Sequence, residues 1–385
     1  MPHNVSTVAL AFVALLGVAS SGCTLPDDEG IQVSYDTELA KEAFFSHDHL
    51  YYVSIEGWDP ARMGGESLAE YQSQEGAKLR IHRVAADSGN HCPDAEGETL
   101  YETDAFELRT SGNFTSGTPK SSYKLSLTGS KSERFLGMKK LNLKSMWNDV
   151  SQMREAIAWE LLEKAQIPAS GHSYARFCIN GRYYGLYSLI EQVDKRMLKD
   201  HFGKLDEGNL YKAYWSAEDL GAADLAYRSE DGRDGGDVYY AAEDIDARTY
   251  RLKTNEDEPE LASYDDLATL VRIINGKTLT EDESFQDEAF RQRVEEIFDV
   301  HGFLRWASVN MLLGAWDNYW ATPANYYLYN GGRERDGDFV AEPYFTWIPW
   351  DYDLSQGIDF FSTPWHSVGI LDWAKHTRTD RGELP

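Results

Sequence analysis

The chain has 385 residues, enough for one large domain or two modest ones. Hydrophobic residues make up 42% and aromatics 13%, which supports a packed core, while 64 acidic residues against 37 basic ones give a formal net charge of −27. That charge argues against nucleic acid or an anionic membrane as the main partner, and it requires any phosphate-bearing ligand to find a local basic patch.

The N-terminus reads as a targeting segment. Val8 to Val18 is apolar and Ser20-Ser-Gly-Cys23 follows, a stretch too short to span a bilayer stably. Residues 1–23 are expected to be a lipoprotein signal, with Cys23 lipidated after cleavage. The segment MPHN lacks Lys and Arg and Ser20 stands where such signals carry Leu, so simple secretion is the alternative. No later stretch is long and apolar enough to span. The expected location is the bacterial cell envelope, with the membrane touched only through acyl chains. Two further cysteines, Cys92 and Cys178, either pair in an exported protein or stay separate thiols, Cys178 buried in a strand.

Residues 24–40 read as a polar tether, and residues 41–385 as one domain. Its first part, 41–107, is a β-rich lead-in with strands expected at Phe44–Ile55 and Lys78–Val84. His47 and His49 flank Asp48, but two histidines at strand spacing read as surface residues. A strand at Phe106–Arg109, a Gly, Ser and Thr-rich loop Thr110–Pro119 and a strand Lys120–Leu127 follow. Such a loop can offer backbone N–H groups and hydroxyls to phosphates, although it matches neither the Walker pattern nor the kinase glycine loop. Period-two alternation places Lys120 and Lys124 on one strand face. Leu141–Lys144 is a further strand. A helix then starts near Ser151, with Met153, Ile157, Leu161 and Leu162 as its apolar stripe. Kinases set a helix Glu against the phosphate lysine; Glu155 is the candidate, unless it only complements the helix dipole.

Asn180-Gly181 joins two strands in a hairpin, and a basic helix Lys195–Lys199 follows. Gly208–Lys212 is another short strand. Residues 216–260 are acidic and Gly-rich, read as a solvated insertion; Asp231, Asp234 and Asp237 lack the ligand spacing of an EF-hand. Helices are expected at 264–275 and 284–313, the second with Phe290, Val294, Ile297, Phe298 and Leu304 in the core. Next comes a loop with Asp317, Asn318 and Asn325, then a strand Asn325–Tyr329, turns, and a strand Tyr344–Trp350 that ends on Asp351 and Asp353. A closed hairpin brings these two groups to one end, where they can share a hard divalent cation. Protein kinases use this order of parts. Aspartates at strand ends also serve merely to cap and turn the chain.

Six segments in order carry a specific resemblance: RTSGNFTSGTPKSSYKLSL, LNLKSMWNDVSQMREAIAWELL, ARFCINGRYYGLYSLIEQVDKRML, GNLYK, the loop with Asp317 and Asn325, and IPWDYD. From about Leu108 onward the chain resembles the CotH family of spore-coat-protein-H-like secreted kinases. The resemblance implies an α+β, atypical protein-kinase-like fold of two lobes, the N-terminal one β-rich and the C-terminal one mainly helical. It implies transfer of the ATP γ-phosphoryl group to a protein hydroxyl with Mg2+ or Mn2+. Asp317 would then act on the acceptor proton. Asn325, Asp351 and Asp353 would hold the metal. Arg109, Ser111, Lys120, Lys124 and Lys144 would meet the phosphates, and Glu191 would face the nucleotide base. The eight-residue spacing of Asp317 and Asn325, with Pro323 between, is longer than the family's pattern. Family members continue with more helix, so a shortened C-terminal lobe is expected. ATP and a protein acceptor are the expected partners of a monomer. The alternatives are a non-catalytic surface scaffold that keeps the fold and a two-carboxylate glycan hydrolase using Asp317 and Asp351.

Overall fold

The computed structural model describes residues 37–59, 61, 70–84, 91–92, 97–112, 118, 120–214, 223–227, 248–277, 287–334, 336–359 and 364–369. The expected signal, Cys23, most of the tether, the tip of the Gly-rich loop and most of the acidic insertion lie outside these residues. Among the described residues no helix is long and apolar enough to cross a membrane.

The chain is a mixed α+β protein with an N-terminal sheet and C-terminal helices. Helix α1 (Thr37–Phe44) takes in the last residues of the expected tether and shortens the first strand to β1 (Leu50–Glu56). Strands β2 (Lys78–Val84), β3 (Gly97–Thr103), β4 (Phe106–Ser111), β5 (Ser122–Leu127) and β6 (Lys140–Lys144) follow. After helix α2 (Arg154–Lys164) come β7 (His172–Ile179) and β8 (Arg182–Glu191). These eight strands form one sheet in the order β3-β2-β1-β7-β8-β6-β5-β4, so the lead-in is part of the same sheet as the Gly-rich loop. Every pairing is antiparallel except β1 with β7, which runs parallel. Asn180 and Gly181 both have positive φ, 47° and 71°, which is what a tight β-hairpin demands and why this dipeptide signals one.

Alternation decides what each face carries. In β4 the buried residues are Phe106, Leu108 and Thr110, while Glu107, Arg109 and Ser111 point the other way. Tyr123 and Leu125 of β5 and Leu141 and Leu143 of β6 join that core. Lys124, Asn142 and Lys144 therefore share the opposite face with Arg109. Cys92 and Cys178 form a disulfide that ties the chain ahead of β3 to β7. It closes a loop with a sequence separation of 86. Replacing both by Ser is expected to cost about 2–4 kcal/mol of unfolding free energy, read as a lower denaturant midpoint; an unchanged midpoint would show the bond to be idle.

Helix α3 (Lys195–Phe202) starts at Asp194, whose side chain accepts from the Arg196 N–H. A second sheet of order β10-β9-β11-β12 is built from β9 (Asn209–Ala213), β10 (Tyr250–Leu252), β11 (Tyr326–Asn330) and β12 (Phe345–Pro349). Tyr250 and Leu252 are buried, so part of the stretch read as a solvated insertion is core. Helices α4 (Asp265–Ile274), α5 (Asp287–Ile297) and α6 (Val300–Leu312) complete the chain's main elements. The long helix expected at 284–313 is two helices, because Asp299 caps a new start by accepting from the Gly302 N–H at 2.9 Å. Phe298 and the partly buried Val294 and Ile297 pack on the core as expected, but Phe290 and Leu304 face solvent.

A buried polar knot locks the second sheet to α4. Asp266 accepts from the Tyr211 hydroxyl at 2.6 Å and from the Asn330 amide at 2.7 Å. Leaving such a carboxylate without partners in the core would cost more than these bonds return.

Candidate active site

A cleft of about 1790 Å³ runs between the two sheets. Thirteen of its lining residues are Lys or Arg and seven are Asp or Glu, the reverse of the balance over the whole chain. The local basic patch demanded by the composition is this cleft.

Lys144 ends β6 and forms an ion pair with Asp351 Oδ1. Its ammonium also lies 5.9 Å from the Trp350 ring. Glu155, in the first turn of α2, is 2% exposed, and among the described residues neither of its oxygens has a hydrogen bond of standard geometry. Burial raises the Glu155 carboxyl, against the pull of Lys144. The Lys144 ammonium, though desolvated, is held well above the lysine range by Asp351, Glu155 and Asp353 together. One cation thus stands among three carboxylates. α2 starts at Arg154, whose N–H donates to Asp149 at 2.9 Å, rather than near Ser151, whose hydroxyl itself donates to Asp149, and this start puts Glu155 in the first turn. Arg154 in turn donates to the Ser355 carbonyl, tying α2 to the segment after Asp353.

Asp317 sits in the loop after α6. Its Oδ1 accepts from the Thr322 hydroxyl at 2.5 Å, while the Asn325 amide donates to its backbone oxygen at 2.9 Å and to Oδ2 at 3.2 Å. The eight-residue spacing is therefore no obstacle: the loop folds Asn325 back onto Asp317. Burial pushes the Asp317 carboxyl up to about 6, opposed by Thr322 and reinforced by Asp351. Burial and then Asp351 likewise raise Asp353. Tyr352 lies between the two aspartates in sequence and anchors both, accepting from Trp306 Nε1 at 2.8 Å and donating to Asn310 Oδ1 at 3.1 Å. Asn318 turns inward to the same knot, donating to Asn310 and to the Ala315 carbonyl. Asn325 and Asp351 both have left-handed backbone, φ 56° and 64°, at the two ends of the hairpin; the Trp350 N–H donates to the Asn325 carbonyl at 3.0 Å. Such outliers concentrate at functional sites.

Arg109, Ser111, Lys124, Lys144, Asp317, Asn325, Asp351 and Asp353 all line the cleft. Lys120, Glu155 and Glu191 do not line it; Glu155 is buried and acts on Lys144 through its charge. Lys120 precedes β5, and its ammonium donates to the Leu186 carbonyl at 2.5 Å and lies over the Tyr187 ring. Glu191 pairs with Lys41 of α1 and accepts from the Gly171 N–H at 3.2 Å; its neighbours Gln192 and Asp194 line the cleft instead. Among the cleft cations that the sequence reading does not assign to the site are Lys212 of β9 and Arg251 of β10. Only the alternation in GNLYK hints that Lys212 opposes the buried Tyr211.

Among the described residues, no group of three or more His, Cys, Asp or Glu side chains is arranged to hold a metal ion. The donor set at the hairpin end is two carboxylates, Asp351 and Asp353, and the Asn325 amide, whose nitrogen is committed to Asp317. That set suits a hard cation completing its shell with phosphate and water oxygens, and the mutual repulsion of the aspartates fits the need for one.

The fold and cleft define an α+β protein with a basic, carboxylate-bearing groove between two sheets. A family model described as CotH kinase protein matches residues 108–367, and the chain belongs to that family. It is 23% identical over 242 residues to Invasin CotH2 of Rhizopus delemar, covering 62% of this chain and 35% of that protein. It is 24% identical over 241 residues to Inner spore coat protein H of Bacillus subtilis, covering 62% of this chain and 56% of that protein. The match thus spans less than two thirds of the length of either relative.

Proposed function

We propose that the chain is an exported protein kinase that moves the γ-phosphoryl group of ATP to a protein hydroxyl. In this reading the eight-stranded sheet with α2 is the N-terminal lobe of a kinase-like fold, and the second sheet with α4 to α6 is the C-terminal lobe. The observation that carries it is the position of Lys144, between Glu155 of the helix and Asp351 at the end of the hairpin, with Asp317 and Asn325 beside them. Kinases need a lysine–glutamate pair, then an aspartate for the acceptor, then a metal-binding aspartate, in this order along the chain.

Asp317, held by Thr322 and Asn325, orients the acceptor hydroxyl and takes its proton. Lys144, Lys124 and Arg109 offset charge on the phosphates, and Glu155 keeps Lys144 ionised and in place. Asp351, Asp353 and Asn325 would hold Mg2+ or Mn2+, which supplies further charge neutralisation on the phosphate oxygens. Positioning and charge stabilisation account for the rate in such a site. Residues 1–23 would direct export and Cys23 would carry the lipid anchor.

Calorimetry of Mg-ATP and Mn-ATP on the form lacking residues 1–23, beside Asp351→Ala, tests the reading. Metal-dependent binding that disappears in the variant is the expected result. Folded protein that binds neither complex would sink it and favour the scaffold.

A further inference from the structure

A line of polar side chains runs from the surface to the buried Glu155, and the proposed reaction makes no use of it. His47, in the turn between α1 and β1, sets its Nε2 2.8 Å from Nδ1 of His172 on β7. His172 in turn sets its Nε2 3.1 Å from the hydroxyl of Ser188 on β8. Ser188 lies directly opposite Lys144 of β6 and, on its other side, opposite Tyr174 of β7, so these three share one sheet face. Glu155 of α2 meets that face at the same place: Lys144 and the Ser188 hydroxyl both act to lower its carboxyl, the latter without a bond of standard geometry. The turn is held over the end of β7 by Phe45, whose ring fills the space where a Cβ on Gly171 would stand.

Exposure falls along the line. The His47 side chain is 32% exposed, whereas His172 and Ser188 are buried. Burial, and after it His47, push the His172 imidazole down to about 3, so His172 passes hydrogen bonds on without holding a charge. Besides His172, His47 faces the Glu160 carboxylate of α2 at 4.0 Å and the Tyr174 ring of β7. Asp48 and His49 flank it in its own turn, and Lys164 is paired with Glu160.

A neutral imidazole has one N–H and one bare nitrogen, and a serine hydroxyl has one proton. The line can therefore be polarised in two senses. Inward, His47 donates to His172, His172 to Ser188, and Ser188 to the Glu155 carboxylate. Outward, a protonated Glu155 donates to Ser188, Ser188 to His172 Nε2, and His172 Nδ1 to His47 Nε2. An imidazolium has no bare nitrogen, so a charged His47 permits the inward sense alone. Passing from outward to inward moves one proton across each bond: Glu155 gives its proton to Ser188, Ser188 to His172 and His172 to His47. Glu155 becomes a carboxylate, His47 an imidazolium beside Glu160, and the total number of protons is unchanged.

We propose that His172 and Ser188 are positioning residues that couple His47 to Glu155 as a proton wire, so that a charge on His47 at the surface keeps Glu155 ionised beside Lys144. The group that titrates is His47, which is bonded to none of the residues assigned to metal or phosphate. Acid would otherwise protonate the buried Glu155 and loosen its hold on Lys144; the wire opposes this over the range in which histidines gain charge. Its purpose rests on the reading of Lys144 and Glu155 as a functional pair, but it is measured without nucleotide.

NMR of the full chain with nitrogen-labelled histidines, from about pH 5 to 8, reads the tautomer and charge of both rings. His172 is expected to stay neutral throughout and to move to the Nε2–H form as His47 gains its proton. Glu155→Gln is expected to lower the His47 midpoint by about half a pH unit, as for coupled sites. The same change made in Ser188→Ala should move it by less than half as much, and Ser188→Thr, which keeps the hydroxyl, should restore the full shift. A charge acting through space would persist in Ser188→Ala. The tautomer of the wild type needs no variant, so a folding defect in any substitution leaves that test in force. A His172 that keeps one tautomer over the whole range or becomes charged, or a Glu155→Gln shift undiminished in Ser188→Ala, overturns the wire. A tautomer switch beside absent Mg-ATP binding would sink the kinase reading alone, and a fixed tautomer beside metal-dependent ATP binding would sink the wire alone.

Discussion

Asp317→Asn is expected to lower phosphoryl transfer by roughly 10²–10⁴-fold while leaving nucleotide binding in place. The substitution keeps the size of the side chain, and the backbone carbonyl of residue 317 still accepts from Asn325. What it would remove, on the proposed reading, is the capacity to take a proton from the acceptor. Asp317 is chosen over its neighbours because Asp351 is engaged with Lys144, and Asn318 is turned into the core. Single-turnover autophosphorylation measured beside ATP affinity separates the two effects. A variant that keeps more than a tenth of the wild-type rate would remove Asp317 from the chemistry. A variant that loses binding as well would make it part of the metal and phosphate site.

Lys144→Met is expected to cost roughly 3 kcal/mol of stability in the protein without ligand, toward the lower end for breaking a buried ion pair because both partners keep some exposure. Asp351, Glu155 and Asp353 would then share a desolvated space with no cation among them. Carboxyls raised in this way favour folding where they are protonated and lose that contribution as pH rises through their folded values. The gap between variant and wild type should accordingly narrow in acid and widen toward neutrality. Denaturant unfolding at two pH values measures it. A cost below about 1 kcal/mol would class the pair with ordinary surface bridges, and Asp351→Asn added to Lys144→Met should recover part of the loss.

The sequence was most legible where local chemistry dictates geometry. Asn180-Gly181 specified its hairpin, and the aromatic strands around the turn at residue 330 paired as read. Asp317, Asn325 and Asp351 could be read as neighbours because they sit at element ends, where period and turn signals are sharp. Period two failed for Lys120 because it applies only within a strand, and β5 begins at Ser122. The face of α2 was misjudged for a different reason. Met153, Ile157 and Leu161 look like an inner stripe but are exposed; the buried side is Glu155, Ala156, Ala158, Trp159 and Leu162. A helix that must present a carboxylate to a lysine gives up an apolar position on its inner face, and hydrophobic periodicity then points elsewhere. Lys212 and Arg251 were invisible because their meaning lies in what they face across the cleft, a relation between distant parts of the chain.

The parallel pairing of β1 with β7 sets an order of events. Val53 lies opposite Ile81 on one side and opposite Phe177 on the other, so one edge of the amino-terminal strand must wait for most of the sheet to be synthesised. Contacts so distant in sequence slow folding and leave an unpaired edge open in the interval. A chain with this topology gains from crossing a membrane before it folds, and from completing its sheet on the far side in one piece. Truncations that end before residue 179 should accordingly yield aggregated product rather than a smaller folded domain.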